Sequence, residues 1–487
     1  MASIETIPII IDNKPLQPIE STIATTYSTY LKSEYVKYVS ASVNDAVTAA
    51  DSSQVAFRSW SQSLPRVRRE IFQKTAGLLR EHAAELAKIQ VEETNCPECW
   101  AAINIHWAAL HLEEMCGRIT SVLTGQIPVV QTPGQMGFVY KRPVGPVLSI
   151  PPWNASVFLA CRAIDTPLAV GCTVVLKASE QSPRSHHYLA QLFHRAGLPP
   201  GVLNVIQARR EDGAAVCEAL ISHRHIRKIE FIGSSGVGRR LGALAGQHLK
   251  PILMERGGKA AALVLDDADL ELAAQGCVCG GYTHSGQTCF STERVIVHSA
   301  VVEKFIPILT KCGVNFPIPW AVSTTGAEST LRLVQDAVSK GAQVLYGEVK
   351  LLEPARLQPV VLKGLKPDME IYDNESFGPV LAVFTVDTDE EAVELANSSQ
   401  YGLSAGVYSK DIGRALQVAN RIEAGQTHIN FPLGTGTDEA TLPIGLSKSS
   451  GWGRQNGSEG LEQFLELRTV LLTNPAEFSS GMADSAI

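Results

Sequence analysis

Apolar residues recur every three or four positions from about residue 42 to residue 118, the spacing that puts them on one face of a helix. The clearest stretch is REIFQKTAGLLREHAAELAKIQVEE, residues 69–93. After residue 118 the pattern changes to short continuous apolar runs separated by helical segments. Strands that are buried on both faces have such runs. The pattern therefore predicts a helical section followed by alternating strands and helices.

The predicted strands fall into two groups. The first group is PVLSI, TVVLKAS, GVLNVIQ, KIEFIG and PILMER, and the second is AALVLD, ERVIVHS, QVLYG, VLAVFTV, SAGVYS and THIN. Helical segments such as SHHYLAQLFHRAG and IGRALQVANRI separate them. Strand, helix and strand in this order form right-handed crossovers between parallel strands. We therefore expect an α/β fold with two largely parallel sheets, one on each side of about residue 256.

Two further apolar stretches are expected to be exposed strands. QMGFVYKRPVG, residues 135–145, resembles half of a hairpin, and LELRTVLLT, residues 465–473, follows the last predicted helix. A strand without a partner in its own sheet tends to pair with another strand, often in a second subunit.

Composition and charge narrow the class of partner. The 42 basic and 49 acidic residues give a net charge of -7 and are interspersed, which disfavours nucleic acid or an anionic membrane as partner. The start MASIETIPIIIDNK lacks the features of a secretory leader, so a cytoplasmic location is expected. The ten cysteines have no repeated spacing and are expected to be reduced thiols. Cys96 and Cys99 form a single CxxC, which lacks the second ligand pair of a zinc site, so no metal is predicted.

Two motifs follow predicted strands and contain residues suited to a dinucleotide. FIGSSGVGRR has glycines at 233, 236 and 238 where a strand turns into a helix, so its backbone N–H groups are suited to a phosphate. Its spacing is not GxGxxG, and a tight structural turn explains it equally well. Lys177 and Glu180 of KASE are suited to binding ribose hydroxyls, but this motif alone does not establish a nucleotide site.

Three residues have the chemistry of acyl transfer. Cys289 in SGQTCFSTER lies among small, hydroxyl-bearing residues that give it no packing role, which suggests a nucleophile. Glu255 in MERGGK is suited to a general base, although it is also explained as a carboxylate at a strand end. The Asn154 amide in PPWNAS is suited to an oxyanion, although an isolated asparagine there is more often a turn residue or a helix cap.

The ordered set PWN, KASE, FIGSSGVG, E-x-GGK, GQTC and ESFGPV resembles the aldehyde dehydrogenase superfamily from about residue 10 to residue 470. The separation of 34 residues between Glu255 and Cys289 is similar to that between the family's general base and nucleophile. The resemblance implies a Rossmann-type dinucleotide-binding domain, an α/β catalytic domain and a small β oligomerisation element. The implied bounds are 1–120 with 144–256, then 257–445, and finally 121–143 with 462–487.

The resemblance also implies roles for individual residues. Cys289 would attack the aldehyde, the Asn154 amide and the Cys289 backbone N–H would hold the oxyanion, and Glu255 would activate water to release a carboxylic acid. The implied cofactor-binding residues are Trp153, Lys177, Glu180, Gly233, Ser234, Val237, Gly257, Glu375 and Phe377. A carboxylate at position 180 would repel a 2'-phosphate, so NAD is expected rather than NADP. A homodimer or homotetramer is expected.

Within the superfamily, PWNASVFLACRAIDTPLAVGC, CFSTERVIV and HINFPLGTGTDEATLP resemble the salicylaldehyde and vanillin dehydrogenases. This implies an aromatic substrate in a pocket with Trp100, Arg162 and Phe290. A guanidinium could hydrogen-bond a ring hydroxyl, and an indole could stack on the ring. The alternatives are core packing for Trp100 and a salt bridge from Arg162 to Asp165.

The sequence departs from the family pattern at Arg256, at Leu446, within 311–329 and in a shortened segment at 353–358. These departures bear on substrate scope and catalytic efficiency rather than on the fold. Three alternative functions stay open. They are oxidation of an aliphatic aldehyde or semialdehyde, dinucleotide binding without catalysis, and hydrolysis by a pair formed from Cys289 and His284.

Overall fold

The computed structural model describes residues 5–16, 22–433 and 439–474. The first section contains short strands and four long helices. These elements are β1 (Thr6–Ile7), β2 (Ile10–Ile11), β3 (Lys14–Pro15), β4 (Ile23–Ser28), β5 (Ser33–Val39), α1 (Val43–Trp60), α2 (Pro65–Glu81), α3 (Ala83–Thr94) and α4 (Glu98–Val122). The helical section predicted between residues 42 and 118 is therefore confirmed, and the Ser42 hydroxyl and the Asp45 carboxylate cap its first helix.

Alternating strands and helices follow as predicted. They are β6 (Gln135–Pro143), β7 (Val147–Ile150), α5 (Ser156–Val170), β8 (Val174–Ala178), α6 (Pro183–Arg195), β9 (Leu203–Gln207), α7 (Gly213–Ser222), β10 (Lys228–Gly233), α8 (Ser235–Gln247) and β11 (Ile252–Arg256). The first sheet has eight strands in the order β24-β11-β10-β7-β8-β9-β2-β3, where β24 (Gly451–Trp452) comes from the later part of the chain. Its strands β7 to β11 are parallel, while β24 and β2 add antiparallel edges.

The second half of the chain forms a seven-stranded sheet and several short pairs. Its elements are β12 (Ala260–Val264), α9 (Leu270–Tyr282), β13 (Thr292–His298), α10 (Ser299–Asn315), α11 (Thr324–Ser339), β14 (Gln343–Tyr346), β15 (Leu351–Glu353), β16 (Arg356–Leu357), β17 (Val360–Lys363), β18 (Val380–Val386), α12 (Asp389–Asn397), β19 (Tyr401–Gly402), β20 (Ser404–Tyr408), α13 (Ile412–Ala419), β21 (Gln426–Ile429), β22 (Ile444–Gly445), β23 (Ser447–Lys448), β24 (Gly451–Trp452), β25 (Arg454–Gln455), α14 (Gly457–Glu462) and β26 (Leu465–Thr473). The sheet order is β14-β17-β18-β13-β12-β20-β21. The expected second sheet is therefore present, although the strand β17 was missed.

Helices cover both faces of both sheets. On the first sheet, α2 to α6 pack on one face and α1, α7 and α8 on the other. On the second, α9 and α10 pack on one face and α12 and α13 on the other. Helix α5 is buried along its whole length, although it contains Arg162 and Asp165. A fully buried helix with charged residues requires buried partners for them.

The two strands expected to be exposed pair with each other. Strands β6 and β26 form an antiparallel ladder from Gln135 opposite Thr473 to Pro143 opposite Leu465. The ladder carries exposed apolar side chains, including Leu467 and Leu471. No helix in the described part of the chain is long and apolar enough to cross a membrane.

Candidate active site

The carboxyl end of the first sheet meets the loop that leads into the second sheet, and this brings Cys289 to Glu255. Glu255 is the fourth residue of β11, and Cys289 precedes β13. The Cys289 sulfur lies 3.9 Å from Glu255 Oε1. Cys289 is half-buried, whereas Glu255 is buried. A thiol that can be reached from outside therefore contacts a carboxylate that is shielded from water.

A sharp turn places the thiol at this point. His284, Ser285 and Gly286 have φ angles of +50°, +59° and +66°, three consecutive residues in the left-handed region. A Cβ on Gly286 would lie 2.2 Å from the Gly378 carbonyl oxygen, so only glycine fits there. The turn therefore depends on the glycine of the GQTC motif.

The Asn154 amide lies against the same loop. Its Nδ2 donates to the Gln287 carbonyl at 3.0 Å, and its own backbone carbonyl accepts from Trp100 Nε1 at 2.8 Å. The Gln287 side chain fixes the loop, because its Nε2 donates to the His284 carbonyl and its Oε1 accepts from Val322 N. Asn154 is thus bound to Gln287, two positions before Cys289 in the chain, and its Nδ2 has a second N–H.

Four aromatic rings form a continuous row beside Cys289. Trp100 stacks on His284 with 6.1 Å between centroids, His284 meets the edge of Trp153 at 5.9 Å, and Trp153 meets Phe377 at 5.8 Å. The row joins Trp100, predicted for the substrate pocket, to Trp153 and Phe377, predicted for the cofactor. Trp100 is buried and also contacts Trp107.

His284 does not form the pair with Cys289 that a cysteine hydrolase needs. Burial lowers the pKa of His284 to about 3, so the ring is neutral. Within the described residues, neither ring nitrogen has a hydrogen-bond partner. The hydrolase alternative therefore lacks its base.

Arg162 lies beside Glu255. Its Nη2 donates to Glu255 Oε2 at 2.7 Å, and both side chains are almost completely buried. The salt bridge to Asp165 considered from the sequence is replaced by a different pairing, since Asp165 Oδ2 lies 2.9 Å from His111 Nδ1. The guanidinium also lies over the Phe158 ring.

Phe290 is buried on the other side of Cys289. It packs in one apolar cluster with Leu403 and Ile444, against which Cys289 and Leu446 also pack. The sequence interpretation of Phe290 as a pocket wall is consistent with this position. Part of the HINFPLGTGTDEATLP motif, residues 434–438, lies outside the described residues.

The residues predicted for the adenosine side of the cofactor lie at neighbouring strand ends. Lys177 is the fourth residue of β8, with its Nζ 3.6 Å from Glu180 Oε2, and Gly233 is the last residue of β10. The Ser234 hydroxyl caps α8 by accepting from Val237 N, and both residues are exposed. The first-turn N–H groups of α8 are thus accessible to an anion.

The predicted nicotinamide side surrounds Gly257. A Cβ there would lie 2.0 Å from the Glu375 carboxylate, whose Oε1 accepts from Gly258 N at 3.1 Å. Burial raises the pKa of Glu375 to about 8, and the nearby Glu293 charge adds to this effect. Phe377 has a φ of +46°. Glu375 and Phe377 are therefore held in fixed positions over the glycine pair.

Residues 18–470 match the model of the aldehyde dehydrogenase family. The chain belongs to the aldehyde dehydrogenase family. A vanillin dehydrogenase from Pseudomonas fluorescens is 41% identical over 448 residues, covering 90% of this chain and 92% of that protein. The family, the enzyme class and the fold class predicted from the ordered motifs are therefore confirmed.

Solved aldehyde dehydrogenase structures agree over nearly the whole chain. A salicylaldehyde dehydrogenase from Pseudomonas putida G7, complexed with salicylaldehyde, has a TM-score of 0.93 at 33% identity, covering 97% of this chain and 99% of that one. A betaine aldehyde dehydrogenase from Staphylococcus aureus, in complex with NAD+, has a TM-score of 0.92 at 28% identity, covering 96% and 95%. The cofactor predicted from the sequence is the one bound in this second neighbour.

One buried ion pair of this aldehyde dehydrogenase was missed by the sequence analysis. Lys259 Nζ contacts Glu293 Oε2 and donates to the Asn374 carbonyl at 2.8 Å. Glu293 Oε1 in turn accepts from the backbone N–H groups of Ser376, at 2.8 Å, and Phe377, at 3.4 Å. The pair therefore fixes the loop of Glu375 and Phe377. The sequence did contain a signal for this pair, because Lys259 lies in the GGK motif and Glu293 in CFSTER.

The structure shows where the residues that depart from the family pattern lie. The Arg256 stem packs on α8, where a Cβ on Gly238 would lie 2.6 Å from its Cδ. Leu446 packs against the apolar cluster of Phe290. The shortened segment 353–358 lies within the tight pair β15 and β16, and Ser323, within 311–329, caps α11.

Proposed function

We propose that this aldehyde dehydrogenase oxidises aromatic aldehydes to carboxylic acids with NAD. The observation that carries the proposal is the position of the Cys289 thiol, 3.9 Å from the buried Glu255 carboxylate and beside the Asn154 amide. Nucleophile, general base and oxyanion donor are the three groups that this chemistry needs.

The reaction begins at Cys289. Its sulfur adds to the aldehyde carbon, and the resulting oxyanion accepts from the second N–H of Asn154 Nδ2 and from the Cys289 backbone N–H. When bound, NAD would supply the acceptor for the hydride that leaves the thiohemiacetal carbon. The acyl group then remains on Cys289 as a thioester. Glu255 accepts a proton from water, the hydroxide adds to the thioester carbonyl, and Cys289 leaves as thiolate with release of the acid.

The residues at the strand ends fit a dinucleotide. The exposed first turn of α8 after Gly233 suits the pyrophosphate, and Lys177 with Glu180 suits the adenosine ribose. The missing Cβ of Gly257 lets the Glu375 carboxylate lie against the backbone there, a position that suits hydrogen bonds from the nicotinamide ribose. Trp153, Val237 and Phe377 would line the remainder of the site.

We expect Glu180→Ser to weaken the preference for NAD over NADP by at least about tenfold in kcat/KM. The reason is that a carboxylate repels the 2'-phosphate, and about 1.4 kcal/mol of lost repulsion is a tenfold change. Initial rates with both cofactors measure the ratio. Glu303→Gln, an exposed carboxylate on α10, is the matched control and should keep the wild-type ratio.

The aromatic surroundings of Cys289 support an aromatic substrate. Trp100, Trp107 and Phe158 form a chain of edge contacts, and Phe290 belongs to the apolar cluster against which Cys289 packs. Aromatic rings gain from edge and stacked contacts beyond the area they bury. Relatives named vanillin dehydrogenase and salicylaldehyde dehydrogenase point to the same substrate class.

A panel of aldehydes tests this substrate class. Salicylaldehyde, vanillin and benzaldehyde should have kcat/KM values at least about tenfold above those of hexanal and succinate semialdehyde, a difference of about 1.4 kcal/mol. NADH appearance at 340 nm is the measurement. If hexanal or succinate semialdehyde is turned over equally well or better, the substrate class is that of the better aldehyde and not the aromatic one. Binding of NAD without turnover of any aldehyde would support the non-catalytic alternative.

The domain division 1–120 with 144–256, 257–445, and 121–143 with 462–487 is part of the proposal. Each sheet with its helices forms one of the two larger domains, and the β6–β26 ladder is the oligomerisation element. Residues 475–487 of that element lie outside the described residues. A cytoplasmic location is supported by the ten cysteines, all of which lie in the described residues and are reduced.

The β6–β26 ladder is expected to join chains into a homodimer or homotetramer. Leu467 and Leu471 are 71% and 57% exposed on it, the kind of apolar surface that marks an interface. The double variant Leu467→Asp and Leu471→Asp should lower the native mass measured by light scattering, with the far-UV circular dichroism unchanged. Val55→Asp, at an exposed position of α1, should keep the wild-type mass. A wild-type monomer would overturn this part of the proposal.

A further inference from the structure

A second carboxylate lies on the same buried face of the sheet as Glu255. In the parallel pair β10 and β11, Glu230 is opposite Leu253 and Ile232 is opposite Glu255. Since side chains alternate between faces, these four residues point to one face. Ile232 and Leu253 belong to the core cluster that includes residues of α5, so α5 covers this face. Two glutamates therefore point towards the helix that carries Arg162.

The surroundings of Glu230 are polar but closed to water. The Ser149 hydroxyl lies 3.3 Å from Glu230 Oε2, and Gln455 Nε2 donates to Glu230 Oε1 at 3.4 Å. Glu230 is completely buried. Burial raises the pKa of Glu230 to about 7, the Arg162 charge opposes that rise, and the Glu255 charge adds to it. One guanidinium thus interacts with two buried carboxylates.

We propose that Arg162 is a positioning residue for Glu255 and that the like charge of Glu230 favours proton uptake by Glu255. The inference rests on the proposed role of Glu255 as general base. Arg162 holds Oε2 of Glu255 and thereby leaves Oε1 directed at Cys289. When Glu255 takes the proton from water it loses its charge, and its repulsion with the Glu230 carboxylate on the same face of the sheet is relieved.

This role differs from the ring-hydroxyl contact that the resemblance implies for Arg162. If Arg162 contacts the substrate, its replacement should raise KM, and chiefly for aldehydes with a ring hydroxyl. If it positions the general base, its replacement should lower kcat for every aldehyde. Benzaldehyde and salicylaldehyde differ only in the ring hydroxyl. Comparison of the two therefore separates the roles.

The first experiment is steady-state kinetics of Arg162→Lys with both aldehydes. Lysine keeps the charge but not the guanidinium geometry, so kcat should fall by about 10- to 100-fold, by the same factor for both aldehydes. KM should change less than about threefold, and the rapid first turnover of NADH should keep its amplitude, since deacylation is the affected step. Arg68→Lys, another buried arginine, which donates to backbone carbonyls, is the control and should keep kcat.

The second experiment is the pH profile of kcat for Glu230→Gln. With Glu230 neutral, the like charge near Glu255 is gone, so the acidic limb should move to lower pH. The other charged groups near the array are Lys228, on the same face of β10, and the pair of Asp165, one turn along α5, with His111 of α4; these are unchanged in the variant. An unshifted limb would overturn the role of Glu230.

The outcomes also distinguish this inference from the proposed function. A rise in KM for salicylaldehyde alone, with kcat for benzaldehyde unchanged, would make Arg162 a substrate contact and overturn the inference. Wild-type kinetics of Arg162→Lys would overturn it as well. Full turnover by Glu255→Gln would instead contradict the proposed general base.

Discussion

Replacement of Cys289 by alanine is expected to lower kcat/KM for every aldehyde by at least about 10⁴-fold, the scale of loss when a covalent nucleophile is removed. No other thiol can replace it, because the site depends on the turn at His284 to Gly286 that directs this sulfur at Glu255. Burial raises the pKa of other cysteines, such as Cys161 and Cys277, and so holds them as thiols. The measurement is NADH appearance under saturating NAD.

Two controls make this result specific. Cys312→Ala removes a half-buried thiol on α10 and should keep wild-type activity. NAD binding by Cys289→Ala, followed by quenching of tryptophan fluorescence, should also be retained, since no cofactor contact is lost. Residual activity within about tenfold of wild type would mean that another group is the nucleophile.

Glu255→Gln should separate acylation from deacylation. Glutamine keeps the shape of the side chain but cannot accept a proton from water, so steady-state turnover should fall by about 10²- to 10⁴-fold, the usual contribution of a general base. The first turnover should still release one NADH for each site, because hydride transfer precedes water activation. Stopped-flow absorbance at 340 nm measures both phases.

The residual turnover of Glu255→Gln also has a diagnostic pH dependence. Attack by hydroxide from solvent would make it rise steadily with pH, without the acidic limb of the wild type. Loss of the first turnover together with the steady state would show that Glu255 acts before the thioester forms. Unchanged turnover would mean that Glu255 is not the base.

The fold could be predicted in its main features because its sequence signals are local. Apolar runs such as VLAVFTV and helical stretches such as residues 69–93 specify their elements directly. The strands β1 to β5 near the amino terminus and the edge strand β24 were missed. Most of these strands are two residues long, and a two-residue strand has no periodicity to detect.

The candidate site was predictable as a set of motifs but not as a set of contacts. The order of PWN, E-x-GGK and GQTC indicated three residues that the structure then brings together. Arg162 shows the limit of this reasoning. As the alternative to a place in the substrate pocket, the sequence suggested a salt bridge to Asp165, three positions away. The structure instead pairs Arg162 with Glu255, 93 positions away, and Asp165 with His111. Pairings across elements depend on packing, and a local pattern does not encode them.

The most direct test of the account is the mass of the enzyme during turnover. Glu255→Gln mixed with NAD and benzaldehyde should accumulate one benzoyl group for each chain, and proteolysis should locate it on the peptide that contains Cys289. The same mixture without NAD should leave no acyl group on the protein. An acyl group on a different residue, or none after NADH has formed, would contradict a thioester on Cys289.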